Sequence, residues 1–185
     1  MILETNRLIL RPWQDSDAED LYRYAKNPNV GLMAGWPIHT DVENSRYVIR
    51  EFLAKEENYA VVIKGSSVAV GSIGLMTGRE SNLGGLSAHE AEIGYWIAEP
   101  FWGRGYIPEA VEEILRHGFL DLNYSVIWCG YFDGNEKSKR VNEKCGFVYQ
   151  RLEKDRVWPL IDAVHSLHVT KLTKEKWEEQ RHGDI

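Results

Sequence analysis

The chain has 185 residues, and its 22 Lys and Arg against 28 Asp and Glu give a formal net charge of −6. An acidic chain lacks the basic surface that duplex DNA binding requires, so we expect no direct nucleic-acid partner. The two cysteines, Cys129 and Cys145, form neither a C-x-x-C pair nor a Cys/His cluster. The sequence therefore predicts no metal site and no disulfide framework.

The first residues show no basic segment followed by an apolar run, which is the pattern of a secretion signal. No stretch approaches the about 18 consecutive apolar residues that a membrane-spanning helix needs. We therefore expect a cytoplasmic protein with no membrane partner and with reduced thiols.

The first third of the chain alternates between strand and helix signals. Residues 7–13 predict a strand, and apolar residues at helical spacing then predict a helix that stops near residues 27–29. A loop containing Trp36 is expected over 31–39. A second helix is expected over 41–55, with an apolar side formed by Val42, Tyr47, Val48, Phe52 and Leu53.

The middle of the chain is rich in strand signals. Residues 59–64 and 68–75 flank the turn Gly65-Ser66-Ser67 and predict a hairpin. The glycine- and serine-rich segment 77–88 predicts a loop, and residues 92–97 predict another strand.

The last part of the chain predicts two more helices, three strands and a terminal helical turn. A glycine turn at 101–108 leads into a long amphipathic helix that reaches Leu122. The remaining elements are expected as a strand at 126–129, a helix at 135–144, strands at 146–149 and 160–172, and a short helix capped by Thr173.

This order mixes hairpins with helical crossovers. It predicts an α/β (α+β mixed) fold with a central mixed, largely antiparallel sheet of about seven strands and helices on both faces. We find no repeat, low-complexity tract or linker, so we expect a single domain over 1–185.

A glycine turn before a helix is the most informative local feature. Gly103 and Gly105 bracket Arg104 directly before the predicted helix. The first turn of a helix has unpaired N–H groups and a partial positive charge, so such a backbone can bind a phosphate group. The turn lacks the Gly-Lys-Ser/Thr ending of the nucleotide P-loop and the three-glycine fingerprint of dinucleotide-binding folds. A Gly-x-Gly turn alone is equally compatible with a purely structural role.

A longer match distinguishes these readings. The run Trp102-Gly103-Arg104-Gly105-Tyr106-Ile107, followed by Glu109-Ala110, resembles the acetyl-CoA-binding turn of the GNAT superfamily of N-acetyltransferases. Trp102 and Ile107 depart from that family's general pattern. The run is closer to the branch that contains the ribosomal-protein N-terminal acetyltransferases.

Two further segments carry the same resemblance, so it covers most of the chain. The segment 135–147, from Asn135 to Gly146-Phe147, is similar to the family's Asn-x-x-Ala/Ser … Gly-Phe helix. The segment 4–13 is similar to the opening strand of that branch. The resemblance implies the GNAT fold, acetyl-CoA as co-substrate and an amine as acceptor.

The resemblance also implies which residues bind the coenzyme. Backbone N–H groups are expected to bind its diphosphate at Gly103, Arg104, Gly105, Tyr106 and Ile107. The pantetheine arm is expected to pair with the strand backbone at Tyr95, Trp96 and Ile97, in the manner of an added strand. The N–H of Ile97 would polarise the thioester carbonyl. The loop near Trp36 is expected to border the acceptor site, with a core position for Trp36 as the alternative.

Asn135 and Ser138 are the candidate residues on the later helix. Asn135 is either a plain N-cap or a hydrogen-bond partner of the pantetheine arm. Many family members have a tyrosine at the position of Asn142 that donates to the departing thiolate. Because this chain lacks that tyrosine, Ser138 is our candidate donor to the sulfur of coenzyme A. A structural helix hydroxyl is the alternative.

An attacking amine must lose a proton, and Glu92 is our first candidate for the general base, directly or through water. A strand-end charge or a salt bridge is the alternative role for Glu92, and Glu90 and His89 are neighbouring candidates for the base.

The sequence thus predicts an acetyl-CoA-dependent N-acetyltransferase that transfers the acetyl group directly to a primary amine. The acceptor is a protein N-terminal α-amino group, of a ribosomal protein or another protein, or a small-molecule amine; a homodimer is left open. The alternative function is a non-catalytic acyl-CoA-binding regulatory module with the same fold, which the missing tyrosine and Ile107 motivate.

Overall fold

The computed structural model describes residues 1–182 of the chain, without the side chain of His182. Their strands and helices, in chain order, are β1 Leu3–Glu4, β2 Leu8–Pro12, α1 Ala18–Ala25, α2 Pro28–Ala34, α3 Val42–Val48, β3 Asn58–Ile63, β4 Ala69–Met76, β5 Glu90–Ile97, α4 Tyr106–Arg116, β6 Val126–Phe132, α5 Glu136–Lys144, β7 Val148–Trp158, β8 Ala163–Thr173 and α6 Lys174–His182.

The strands form one eight-stranded sheet in the order β1-β2-β3-β4-β5-β6-β8-β7. Neighbours from β1 to β4 are antiparallel, β5 and β6 are parallel, and β6 and β8 are antiparallel. The mixed, largely antiparallel sheet and the β3–β4 hairpin are therefore confirmed. The expected count of about seven strands is one short, because β1 is only two residues long. So short a strand leaves no alternation pattern in the sequence.

The described residues gather into two compact units, each built from three chain segments. Unit 1 comprises Met1–Gly74, Tyr95–Glu113 and Trp158–Ala163. Unit 2 comprises Leu75–Gly94, Ile114–Val157 and Val164–Ile185, of which the structure describes the residues up to 182. The single domain over 1–185 stays a prediction.

Unit 1 is built around a cluster of small and aromatic side chains. Trp13 is buried, and its indole N–H donates to the Ser72 hydroxyl at 3.1 Å. Trp96 packs against Trp13 with the ring centroids 6.4 Å apart. The buried members of this cluster are Trp13, Ala18, Leu21, Ala25, Ile49, Ala60 and Ala69.

A helix occupies the first part, residues 31–34, of the segment expected to be a loop over 31–39. Helix α2 begins at Pro28, and the side chain of Asn27 accepts a hydrogen bond from the N–H of Asn29. Gly35, with φ of 84°, ends it. The expected stop of the first helix near residues 27–29 is confirmed, because α1 ends at Ala25. The same Asn-Pro pair also starts α2, since asparagine is a preferred N-cap and proline suits the first helical turn.

The apolar side expected for the helix over 41–55 is partly wrong. Tyr47 and Phe52 are both 56% exposed and pack edge-on against each other. Helix α3 ends at Val48 and continues as a wider π-helical turn over Ile49–Leu53. The buried side is formed instead by Ser45 and Ile49, which lie one helical turn apart.

Unit 2 has its own core, which α6 helps to close. Phe119 follows α4 in a π-helical turn and packs against Trp177 with the ring centroids 5.4 Å apart. The hydroxyl of Thr173 accepts a hydrogen bond from the N–H of Lys176 at 3.2 Å, which confirms the predicted cap of the terminal helix.

Gly71 on β4 is expected to tolerate no side chain. A Cβ there would fall against the backbone oxygen of Trp96 and within 3.0 Å of Ile97 Cα. Because backbone atoms cannot rotate away, Gly71→Ala should lower the free energy of unfolding by about 1–3 kcal/mol in urea titrations.

Gly130→Ala is the matched control, because the three atoms nearest to its Cβ would all belong to the side chain of Leu167, at 3.2 Å or more. That side chain can adjust, so the control should lose less than about 1 kcal/mol. Equal losses in the two variants would contradict the close approach of β4 to Trp96.

Candidate active site

The glycine turn has the backbone conformation that only glycine adopts without strain. Gly103 and Gly105 have φ of 73° and 77°, in the left-handed region. A Cβ at Gly103 would meet no atom within 4 Å, so the conformation, and not lack of space, calls for glycine there. The two residues turn the chain directly into α4.

The N-terminus of α4 presents backbone donors at this turn. The N–H of Glu109 donates to the carbonyl of Gly105 at 3.3 Å. Tyr106 and Ile107 precede that bond, so their N–H groups belong to the helix turn that lacks intrahelical partners. The side chain of Ile107 is only 6% exposed. Ile107 is therefore a core residue.

The end of β5 is tied to the turn by a side chain that sequence reasoning undervalued. The indole N–H of Trp102 donates to the carbonyl of Ile97 at 2.8 Å, and the N–H of Ala98 donates to the carbonyl of Val70 at 2.8 Å. The departure of Trp102 from the family pattern was visible in the sequence. The hydrogen bond by which Trp102 connects the glycine turn to the end of β5 could not be predicted from the sequence.

Trp36 and His39 lie beside the same strand end. Trp36 packs edge-on against Trp96 with the ring centroids 5.6 Å apart, so it belongs to the aromatic wall of the unit 1 core. His39 is buried, and its Nδ1 lies 2.8 Å from the Ser45 hydroxyl. Burial lowers the pKa of His39, which favours the neutral imidazole.

Unit 2 holds Asn135 and Ser138 at the start of α5. Asn135 caps the helix, because its Oδ1 accepts a hydrogen bond from the N–H of Ser138 at 3.1 Å. The capping role considered for Asn135 is therefore confirmed, and its contact with a pantetheine arm stays a prediction. Ser138 is half-buried in the first turn of α5.

Asn142, at the position of the family's tyrosine, is a structural residue. It is 2% exposed, and its Nδ2 donates to the carbonyl of Ser138 at 2.9 Å. Its Oδ1 accepts from the Thr170 hydroxyl at 2.6 Å, and that hydroxyl also lies 3.0 Å from the carbonyl of Cys129. The amide of Asn142 therefore connects α5 to β6 and β8.

Glu92 is buried on β5 in unit 2, with 4% exposure. Its carboxylate accepts hydrogen bonds from the Ser81 hydroxyl at 2.8 Å and from the N–H of Asn82 at 2.7 Å. Across the described residues Glu92 is neither a solvated strand end nor part of a salt bridge. Desolvation raises the pKa of the Glu92 carboxyl, although hydrogen bonds from Ser81, Asn82 and Leu83 act in the opposite direction.

Glu90, the neighbouring candidate on the same strand face, is half-buried and accepts a hydrogen bond from the N–H of Ser87 at 3.0 Å. Glu92 is thus the more desolvated of the two carboxylates. A raised pKa makes it the better proton acceptor near neutral pH.

Unit 2 also contains a cavity of about 310 Å³ beside α5. Its lining combines aromatic rings with the buried Asn142–Thr170 pair and is formed by Tyr131, Lys139, Asn142, Glu143, Phe147, Tyr149, His168 and Thr170. Glu92, Asn135 and Ser138 are not among these lining residues.

The described residues contain neither a candidate metal cluster nor a candidate membrane-spanning helix. No group of three or more His, Cys, Asp or Glu within residues 1–182 is arranged to hold a metal ion. No helix in the same part of the chain has the length and apolar character needed to cross a bilayer.

Comparison with known proteins identifies the family. Residues 7–148 match the family model described as the acetyltransferase (GNAT) domain. The chain therefore belongs to the GNAT family and is an N-acetyltransferase. Enzymes of this family use acetyl-CoA as co-substrate and act on an amine acceptor.

Individual relatives agree with this assignment. The chain is 30% identical over 151 residues to the uncharacterized N-acetyltransferase YoaA of Bacillus subtilis, covering 79% of this chain and 82% of YoaA. It is 34% identical over 92 residues to YdaF of Bacillus subtilis, whose name proposes a ribosomal N-acetyltransferase; this match spans 50% of each chain. A GNAT-family acetyltransferase from Bacillus anthracis has the same fold, with a TM-score of 0.82, 22% identity, and 95% of this chain and 99% of that chain covered.

Proposed function

We propose that this enzyme transfers the acetyl group of acetyl-CoA directly to a primary amine, with the α-amino group of a protein N-terminus as the first candidate acceptor. The observation that carries the proposal is the left-handed glycine turn leading into α4. The similarity to YdaF supports a ribosomal protein as the acceptor to test first, and small-molecule amines form the second class.

The turn would bind the diphosphate of coenzyme A through backbone N–H groups of residues 103–107. Left-handed glycines let such a backbone approach a phosphate closely, and the partial positive charge of the α4 N-terminus favours an anion. Arg104 is exposed on the turn, with its guanidinium 5.7 Å from the ring centroid of Phe101. It would add a charge-assisted contact to the diphosphate.

The pantetheine arm would pair with the backbone of Tyr95, Trp96 and Ile97. The parallel pairing of β5 with β6 covers Glu90–Ile93, so these three residues lie beyond that paired stretch. In the role we assign it, the N–H of Ile97 donates to the thioester carbonyl and stabilises the oxyanion that forms during attack. The Trp102 bond to the Ile97 carbonyl supports this role, because it fixes the orientation of the strand end.

Ser138 would donate a hydrogen bond to the sulfur of coenzyme A as the thiolate leaves, and Asn135 would contact the pantetheine arm. The side-chain amide of Asn142 is hydrogen-bonded to the Thr170 hydroxyl and to the Ser138 carbonyl. Because Asn142 is engaged in these structural contacts, Ser138 is the better candidate for the donor. A thiol has a pKa near about 8.5, so the departing thiolate needs only modest stabilisation.

Direct transfer agrees with the positions of both cysteines. Cys129 is 1% exposed and Cys145 is 4% exposed. A thiol that forms an acyl intermediate must reach its substrate, and buried cysteines of this kind are inert. The amine nitrogen therefore attacks the thioester carbon itself, and the carbon–sulfur bond breaks to release coenzyme A.

The decisive experiment measures release of coenzyme A thiol from acetyl-CoA over a panel of acceptors. We expect turnover with at least one N-terminal peptide of a ribosomal protein, and mass spectrometry should place the acetyl group on its α-amine. Turnover with small amines alone would overturn the peptide assignment. Tight acetyl-CoA binding without turnover on any acceptor would support the regulatory module instead.

Ser138→Ala should lower kcat by about tenfold, because it removes one hydrogen bond to a developing charge. The KM for acetyl-CoA should stay nearly unchanged, and Ser138→Thr should retain most of the activity because it keeps a hydroxyl group. Steady-state kinetics would measure both values. An alanine variant with the wild-type kcat would contradict the role of Ser138.

Glu92 would accept the proton of the attacking amine through water. A base with a raised pKa is inactive while protonated, so kcat/KM should rise as pH increases through that pKa and level off above it. Glu92→Gln should remove this acid limb and lower kcat/KM by about a hundredfold.

Ser81→Ala is the matched control, because it removes one hydrogen bond between the loop after β4 and Glu92 but keeps the Glu92 carboxylate. Removing a hydrogen bond that lowers the pKa should shift the acid limb to higher pH and preserve the plateau rate. Equal loss of activity in both variants would show that Glu92 acts only by anchoring residues 81–83.

A further inference from the structure

The N-terminal segment has a second role besides opening the sheet. Thr5 and Arg7 lie against Glu109 in the first turn of α4, although about a hundred positions separate them in the chain. This contact brings together two parts of the family resemblance that the transfer chemistry leaves unused, the opening segment 4–13 and the glutamate after the glycine turn.

Four hydrogen bonds make this contact. One carboxylate oxygen of Glu109 accepts from the Thr5 hydroxyl at 2.6 Å and from the N–H of Arg7 at 2.7 Å. The other oxygen accepts from Nε of Arg7 at 2.6 Å. The same guanidinium donates from Nη1 to the carbonyl of Arg104 at 3.0 Å, inside the glycine turn.

The ring of Tyr106 completes the contact, since the Arg7 guanidinium carbon lies 4.6 Å from its centroid. A Cβ on Gly105 would lie 3.5 Å from Nη2 of Arg7. Arg7 therefore touches or borders three consecutive residues of the turn, Arg104, Gly105 and Tyr106.

The backbone that carries Arg7 is itself held in place. The carbonyl of Arg7 accepts a hydrogen bond from the N–H of Lys64 at 2.8 Å. Thr5 and Leu8 exchange two hydrogen bonds, and Leu8 is fully buried at the start of β2. The guanidinium of Arg7 therefore extends from a fixed point of the sheet. A guanidinium is planar and presents its N–H donors in a fixed forked arrangement, so it loses little conformational freedom when it forms hydrogen bonds.

Arg7 compensates the negative charge of Glu109 at the start of α4. Desolvation raises the pKa of the Glu109 carboxyl, but hydrogen bonds from Thr5 and from the backbone and side chain of Arg7 outweigh it and hold that pKa below its usual range. Glu109 is therefore ionised at neutral pH. An unpaired carboxylate in the first turn of α4 would repel a diphosphate bound at residues 103–107.

We propose that Arg7 is a positioning residue for the diphosphate turn: it fixes the Arg104 carbonyl and neutralises Glu109, so that the N–H groups of residues 103–107 are presented to an anion. The inference rests on the proposed function, because it concerns the same turn.

The test compares two acyl donors in wild type and in Arg7→Gln. Acetyl-CoA carries the diphosphate, whereas S-acetylpantetheine has the same thioester without it. Arg7→Gln should raise the KM and the calorimetric Kd for acetyl-CoA by about tenfold and change kcat by less than about threefold. The kcat/KM for S-acetylpantetheine should stay within about twofold of the wild-type value.

Further variants separate charge from geometry. Arg7→Lys keeps the positive charge but loses the fork, so its KM for acetyl-CoA should lie between those of wild type and Arg7→Gln. Adding Glu109→Gln to Arg7→Gln should recover part of the affinity, because the uncompensated carboxylate is removed. A double variant weaker than Arg7→Gln would overturn the electrostatic part of the proposal.

Arg116→Gln is the matched control, since Arg116 pairs with Asp121 at 2.9 Å near the other end of α4. It should leave the KM for acetyl-CoA unchanged. Equal impairment of both acyl donors in Arg7→Gln, or an acetyl-CoA KM within about twofold of wild type, would overturn the positioning role. Wild type that neither binds nor uses acetyl-CoA would refute the proposed function itself.

Discussion

The backbone at the start of α4 is the constraint on which the account of this enzyme depends. Left-handed φ values at Gly103 and Gly105 turn the chain into a helix whose first N–H groups have no helical partners. In the function we propose, those donors bind the diphosphate of coenzyme A. The proposed roles of strand end, serine and glutamate all presuppose that this contact places the thioester.

Side chains around the proposed chemistry are held by hydrogen bonds within the protein. The indole of Trp102 donates a hydrogen bond to the carbonyl of Ile97, and the amide of Asn142 accepts one from the hydroxyl of Thr170. The carboxylate of Glu92 accepts hydrogen bonds from the loop after β4. Groups that are already oriented need little reorganisation when charge develops, which is how a protein stabilises an oxyanion better than water does. Burial of Glu92 also raises its pKa towards the range that a general base needs.

Sequence reasoning recovered the fold because its signals are local and strong. The glycine turn, the β3–β4 hairpin and the helical spacing after Tyr106 each follow from neighbouring residues. It placed the end of α1 correctly but missed that Asn27-Pro28 also starts a new helix. It also assigned Tyr47 and Phe52 to the apolar side of the second predicted helix, where both are exposed. It also missed the contact of Arg7 with Glu109, because spacing along the chain says nothing about contacts between distant segments.

The most direct test of the central claim follows backbone amide signals by NMR while coenzyme A is added to the isotope-labelled protein. We expect the largest shifts on Gly103, Gly105, Tyr106 and Ile107, and we expect coenzyme A to protect these amides from exchange with water. Pantetheine alone should leave them nearly unchanged, because it lacks the diphosphate. Saturable binding of coenzyme A with the main shifts elsewhere, and none in this turn, would contradict the account.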